Sequence, residues 1–284
     1  MGGLKKMSRL SILIDVNKCN GCYNCFLTCR DEHYGNDYLP YSAAQPLNGQ
    51  FWMQVKEIER GVYPKPKVSY IPIPCQNCED APCIDAAKDN AVYRREDGIV
   101  VIDPVKAKGQ EAIVNACPYR VIYWNKETLI PQKCTFCAHR LDEGVKEPRC
   151  VEACPTGALV FGDLDNPNSQ ISKLAGELET EDFHPEFGTS PLVSYVGIPK
   201  RFIAGEVVLK DKQGECAQDV TIVLKGGGIN RETVSDSYGD FEFERLENNT
   251  EYTIAVKFDG YSSQEFNVIT RKDINLGEIV LEPQ

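Results

Sequence analysis

The rhythm of apolar and polar positions changes along the 284-residue chain. Near the N-terminus, "SILIDV" is a short apolar run between polar neighbours and predicts a first strand. In "AVYRREDGIVVID", two β-rich runs flank Asp97-Gly98, the pattern of a hairpin. Asp103 before Pro104 reads as an N-cap and first helical position, predicting a helix that delivers Cys117. Residues 162–200, with scattered Pro and Gly as in "GDLDNPNSQ" and "FHPEFGTSP", predict a connector. After "RFIAGEVVL" come "DVTIVLK", "ETVSDSYGDFEFERL", "YTIAVKF" and "INLGEIVLEP", short alternating runs separated by turns such as "KGGGIN". That spacing predicts an antiparallel β-sandwich over 201–284.

No run approaches the roughly 20 apolar residues that span a bilayer, so direct membrane insertion is not expected. The stretch "MGGLKKMSRLSILIDV" is basic, but its apolar part is short, is interrupted by Asp15 and lacks a small-residue cleavage site. A cytoplasmic protein without structural disulfides is the expectation, unless an exported partner carries the chain with it. A net charge of -11 argues against a nucleic-acid partner, which needs a basic face.

Cysteine usage changes the picture most. Of thirteen cysteines, twelve lie between Cys19 and Cys154, leaving Cys216 alone in the last third. They form four groups. "CNGCYNCFLTC" supplies Cys19, Cys22, Cys25 and Cys29, the full C-x2-C-x2-C-x3-C run, and "CQNCEDAPC" supplies Cys75, Cys78 and Cys83, with Ala87 where a fourth would fall. The third group retains only Cys117, its partner positions being Ala107, Gln110 and Ile113; the fourth supplies Cys134, Cys137, Cys150 and Cys154. Three thiolates on a looping segment can reach three corners of a 4Fe-4S cubane, and in two-cluster ferredoxins the fourth cysteine of each run serves the other cluster. Zinc, which takes C-x2-C pairs, leaves the third cysteine of the first run without a role.

Cross-ligation then gives three sets. Cys19, Cys22, Cys25 and Cys154 would hold one 4Fe-4S cluster; Cys29, Cys134, Cys137 and Cys150 a second; Cys75, Cys78, Cys83 and Cys117 a third. A fourth would need positions 87, 107, 110 and 113, all non-cysteine here, so one site is erased whole and no ligand is left over. The expected fold is α+β: a ferredoxin-like cluster domain with pseudo-twofold cysteine groups over 1–161, the connector, then the all-β sandwich.

With "CFLTCRDEH" running into "FWMQVKEIERGVYP", then "PCQNCEDAPC", "AVYRREDGIVVIDP", "ACPY", "YWN" and "QKCTFCAHRLD", the chain resembles the iron-sulfur subunits of the dimethyl sulfoxide reductase family of molybdopterin enzymes. Its nearer resemblance is to the small subunits of pyrogallol-phloroglucinol transhydroxylases (pyrogallol hydroxytransferases), resorcinol hydroxylases and catechol dehydroxylases, although "PTGAL" after Cys154 follows the wider family. The resemblance implies a non-catalytic subunit in a heteromeric complex. The large partner would carry molybdenum as bis-molybdopterin guanine dinucleotide and act on phenolic substrates. The C-terminal run "TVSDSYGDFEFERLENNTEYTIAVKFDGY" resembles the carboxypeptidase regulatory-like, or prealbumin-like, sandwich, which implies fold and little about function.

No Ser-His-Asp grouping, Walker A loop or dinucleotide fingerprint is present, so the chain is not expected to be an enzyme by itself. His139 is expected to hydrogen-bond near a cluster without ligating it. Trp52, Trp124, Tyr93 and Tyr119 are expected to pack around the clusters, Lys106 and Lys108 to face solvent, and Cys216 to be a small buried or edge residue. The rival readings are a free-standing polyferredoxin carrier, in which the long inserts and the sandwich have no purpose, and a module whose clusters only staple the fold.

Overall fold

The computed structural model describes residues 8–212 and 214–284; Lys5 and Lys6 of the N-terminal run lie outside them. Two compact units emerge, one from residues 1–58 and 69–198, the other from 59–68 and 199–284.

In the first unit, β1 (Leu10–Asp15) leads to α1 (Asn24–His33), the paired strands β2 (Gln54–Arg60) and β3 (Lys67–Ile73), and the short helix α2 (Pro82–Asp85). The hairpin β4 (Val92–Arg94) and β5 (Val100–Ile102) follows, then α3 (Ala112–Asn115), the hairpin β6 (Tyr123–Asn125) and β7 (Ile130–Gln132), and helices α4 (Ala138–Asp142) and α5 (Arg149–Glu152). The unit closes with β8 (Leu159–Asp163), α6 (Gln170–Glu177), β9 (Glu181–Asp182) and β10 (Val193–Val196). β1 occupies the middle of a sheet ordered β8-β1-β10-β9, antiparallel to β8 and parallel to β10. Its continuous apolar run follows from that place, because Ile12, Leu13 and Ile14 are covered on both faces. α1 packs on α5 and α2 on α3, which places four of the helices in two pairs.

Two sequence expectations differ. The expected connector supplies α6, β9 and β10, and β10 buries Val193 and Tyr195 completely; strands of two and four residues are too short to carry a visible period. The predicted helix after Pro104 begins with its cap, since Asp103 Oδ1 accepts from the backbone N–H groups of Val105 (2.9 Å) and Lys106 (3.2 Å). It then breaks, because Gly109 takes a left-handed φ of 80°, and regular helix is confined to α3.

The second unit contains β11 (Arg201–Leu209), β12 (Glu215–Cys216), β13 (Thr221–Gly226), β14 (Ile229–Val234), β15 (Asp240–Leu246), β16 (Glu251–Lys257), β17 (Gln264–Ile269) and β18 (Ile274–Leu281). One sheet sets β12, β15 and β18 about β11; the other is ordered β14-β13-β16-β17. All pairings are antiparallel but one, since β18 runs parallel to β11. Alternation places Ile222, Leu224, Phe241, Phe243, Tyr252 and Ile254 inside one apolar core. Segment 59–68 joins this unit through ion pairs of Lys65 with Asp240 and of Lys67 with Glu242 and Glu244. Cys216 is exposed on the two-residue edge strand β12.

Candidate metal centres

All twelve clustered cysteines lie in the first unit as free thiols, and the fold sorts them by neighbour. The sulfurs of Cys22 and Cys154 act electrostatically on those of Cys19 and Cys25. Those of Cys134 and Cys137 act on Cys29, and all three on Cys150. Cys75, Cys83 and Cys117 act on Cys78, and these four line one cavity with Val100, Val121 and Ile122. Members of each expected set are thus neighbours, and so are some cysteines of different sets. Across the expected sets, Cys25 acts electrostatically on Cys29 and Cys150, and Cys75 on Cys134.

Local backbone geometry explains how the short loops converge. Left-handed conformations at Gly21, Tyr23, Asn77, Phe136 and Cys137 curl the C-x2-C segments and turn peptide N–H groups inward. Asn77 N–H donates to Cys75 Sγ at 3.5 Å and Phe136 N–H to Cys134 Sγ at 3.4 Å. Asn77 also braces its loop, accepting from Val100 N–H at 2.9 Å. Cys25 and Cys29 lie one turn apart on α1, so one helix serves two sets. At Gly21 a side chain is excluded, because a Cβ would lie 2.7 Å from the Tyr70 ring.

The thiols are poised for a cationic cofactor. Burial, reinforced by neighbouring sulfurs, pushes Cys25, Cys78 and Cys137 up to about 12 and Cys83 and Cys134 up to about 11. It drives Cys29 and Cys150 well above the ordinary thiol range. Cys154 goes the other way: burial raises it, but N–H groups of Leu159, Thr156 and Ala158 and the Thr156 hydroxyl outweigh that. Thiolates packed this closely and this deeply need positive charge among them, which iron supplies. Among the described residues no three Cys, His, Asp or Glu side chains converge as a single metal ion requires. Sulfur donors spread around a space suit the corners of a cubane better than the ligands of one zinc.

Comparison with known proteins agrees. The 4Fe-4S dicluster domain family matches residues 66–164, and the carboxypeptidase regulatory-like domain matches 203–281. The pyrogallol hydroxytransferase small subunit of Pelobacter acidigallici is 40% identical over 97% of this chain and 100% of its own length. A putative dimethyl sulfoxide reductase iron-sulfur subunit from Halobacterium salinarum is 36% identical over 67% of this chain and 79% of its own. The arsenate respiratory reductase iron-sulfur subunit of a Shewanella species is 31% identical over 66% of this chain and 96% of its own. The chain belongs to the iron-sulfur subunit family of the dimethyl sulfoxide reductase type.

The positions that a fourth set would need are packed with apolar side chains or turned aside. Ala107 and Ile113 are fully buried in an apolar cluster with Ile102, Ile122 and the partly buried Ala87. Gln110 turns aside, donating to the carbonyls of Lys88 and Lys106 and accepting from Lys88 N–H at 2.8 Å. Trp52 is buried in the first unit's core, and Tyr93 and Tyr119 pack against it; Lys106 and Lys108 are exposed.

His139 makes its hydrogen bond to a carboxylate, its Nε2 pairing with Glu32 at 3.0 Å. The imidazole that approaches a sulfur is His33, with Nε2 3.9 Å from Cys137 Sγ; burial, with His139 alongside, pushes its pKa down to about 3, so it is neutral near pH 7. Sequence reasoning also passed over Lys133, 2% exposed in the midst of the cysteine sets. Its one signal was its place immediately before Cys134, at the end of the run "LIPQK".

Proposed function

We propose that this chain is the electron-transfer subunit of a heteromeric molybdopterin oxidoreductase or hydroxytransferase and carries three 4Fe-4S clusters. The observation that carries the reading is the sorting of twelve cysteines into three mutually facing sets while the fourth position is packed shut. Cys19, Cys22, Cys25 and Cys154 hold the first cluster; Cys29, Cys134, Cys137 and Cys150 the second; Cys75, Cys78, Cys83 and Cys117 the third. Each cubane, when bound, takes and gives one electron. The residues of this chain do the rest: thiols ligate, inward N–H groups from Asn77 and Phe136 offset sulfur charge, and burial excludes water. Because the sets adjoin in one order, the clusters form a linear relay. It ends at the third set, since Ile113 and its neighbours occupy the space beyond.

The partner is a large catalytic subunit with a molybdenum bis-molybdopterin guanine dinucleotide, acting on a polyhydroxylated aromatic substrate as the name of the pyrogallol hydroxytransferase relative suggests. This chain holds no catalytic group for that chemistry, and the complex is cytoplasmic. Elemental analysis of the natively purified complex tests the reading. About 12 iron per chain, from three four-iron cubanes, with stoichiometric molybdenum is expected. Iron without molybdenum would replace the subunit with a free carrier, and zinc in place of iron would end the electron-transfer reading.

A further inference from the structure

Lys133 is unusual among the cations of this chain, since its ammonium head is buried and meets no carboxylate in the ion pairs of the described residues. Moving an ammonium out of water costs several kcal/mol unless charge and hydrogen bonds compensate it, so a buried lysine needs a reason. Its hydrogen bonds are specific. Nζ donates to the carbonyl of Val100, on the hairpin that walls the third cysteine set, and to that of Cys134, a member of the second set, at 3.0 Å. The sulfurs that act on it are those of Cys75 and Cys83 from the third set and Cys134 from the second. One cation therefore lies at the junction of two sets, held from both sides.

We propose that Lys133 is the shared counter-ion of the second and third clusters, a positioning residue that raises both reduction potentials relative to the first. The inference rests on the assignment of clusters to the three cysteine sets. A cubane held by four thiolates is anionic and gains a further negative charge when it accepts an electron, so a fixed positive charge nearby stabilises the reduced form. Low polarity around the site strengthens the effect, because little water screens it. The first set lies beyond the second and has no part in the Lys133 contacts, so its potential is left lower. With the cation at the inner junction, an electron on the relay favours the second and third clusters over the first.

The test compares Lys133→Gln, Lys133→Met and Lys133→Arg with the wild-type complex by iron content and by redox titration monitored with electron paramagnetic resonance. Gln keeps an N–H donor without charge, Met keeps length without donor or charge, and Arg keeps the charge. At full iron content, two of the three midpoints are expected to fall in Gln and Met by tenfold or more in the reduction equilibrium, about 59 mV for one electron. The third is expected to stay, and Arg to stay near wild type. Unchanged midpoints in an uncharged variant with full iron overturn the proposal. So does loss of iron from both Gln and Met, which makes Lys133 a structural residue. Wild-type complex without cubane signals would instead overturn the cluster assignment itself, a failure read before any variant is made.

Discussion

Cys117 shows how much one residue decides. It stands alone in its segment, yet it faces Cys75 and lines the same cavity as Cys78 and Cys83. Cys117→Ala is expected to lower iron from about 12 to about 8 per chain if that one cubane is lost, measured on the purified complex. Protonation follows from the same crowding. Thiols held near 11 to 12 carry protons at neutral pH, whereas cluster ligands must be thiolates, so assembly releases protons. The sign is definite: reconstitution of the cluster-free chain with iron and sulfide becomes more favourable as pH rises from about 7 to about 9, and a pH-stat should register base uptake. The cysteine types and spacings were legible in the sequence because ligand geometry is local. The roles of His33 and Lys133 were not, since His33 meets Cys137, and Lys133 meets Cys75, Cys83 and the Val100 carbonyl, across long chain separations.

At the scale of elements, the packing over the erased position is the informative case. Ile113 is fully buried on α3, a helix of four residues with too little length to be stable by itself. Ile113→Ala is expected to cost about 2–5 kcal/mol through lost burial and the cavity it leaves, measured by denaturant unfolding of the complex with its iron intact. In the sandwich, Gly226 adopts φ 142° and a Cβ there would lie 2.2 Å from the Glu251 carbonyl. Gly226→Ala is accordingly expected to push β13 and β16 apart and lower the sandwich melting temperature by several degrees, with iron content unchanged. Hairpins and long strands could be read from turn residues and alternation. The helix after Pro104 could not, because a sound cap says where a helix starts and nothing about the left-handed Gly109 that stops it.

For the whole molecule, two units with different sources of stability imply two responses to one treatment. The first unit surrounds its cysteine sets with a core that includes Cys25, Cys29, Cys75, Cys134 and Cys150, so its folding is coupled to metal. The second has its own apolar core, whose only nearby cysteine, Cys216, is exposed. Chelation of iron under reducing conditions is expected to move or abolish one calorimetric transition and leave the other in place. A single transition that vanishes on chelation would mean that the two units do not unfold independently. No helix among the described residues is long and apolar enough to cross a membrane.

The sequence by itself determined the family and the cysteine spacings from which the proposed ligand sets are drawn, because cubane ligation favours spacings of two and three residues along the chain. It also determined the presence of the sandwich, because alternation with period two is a local property. Only the tertiary structure decided that β9 and β10 complete the first sheet, that cysteines of different groups become neighbours, and that Ala107 and Ile113 are buried in an apolar cluster. It alone revealed a buried ammonium joining two sets. These depend on contacts between residues far apart in the chain, where side-chain volume, burial and charge act together and no local pattern records the outcome.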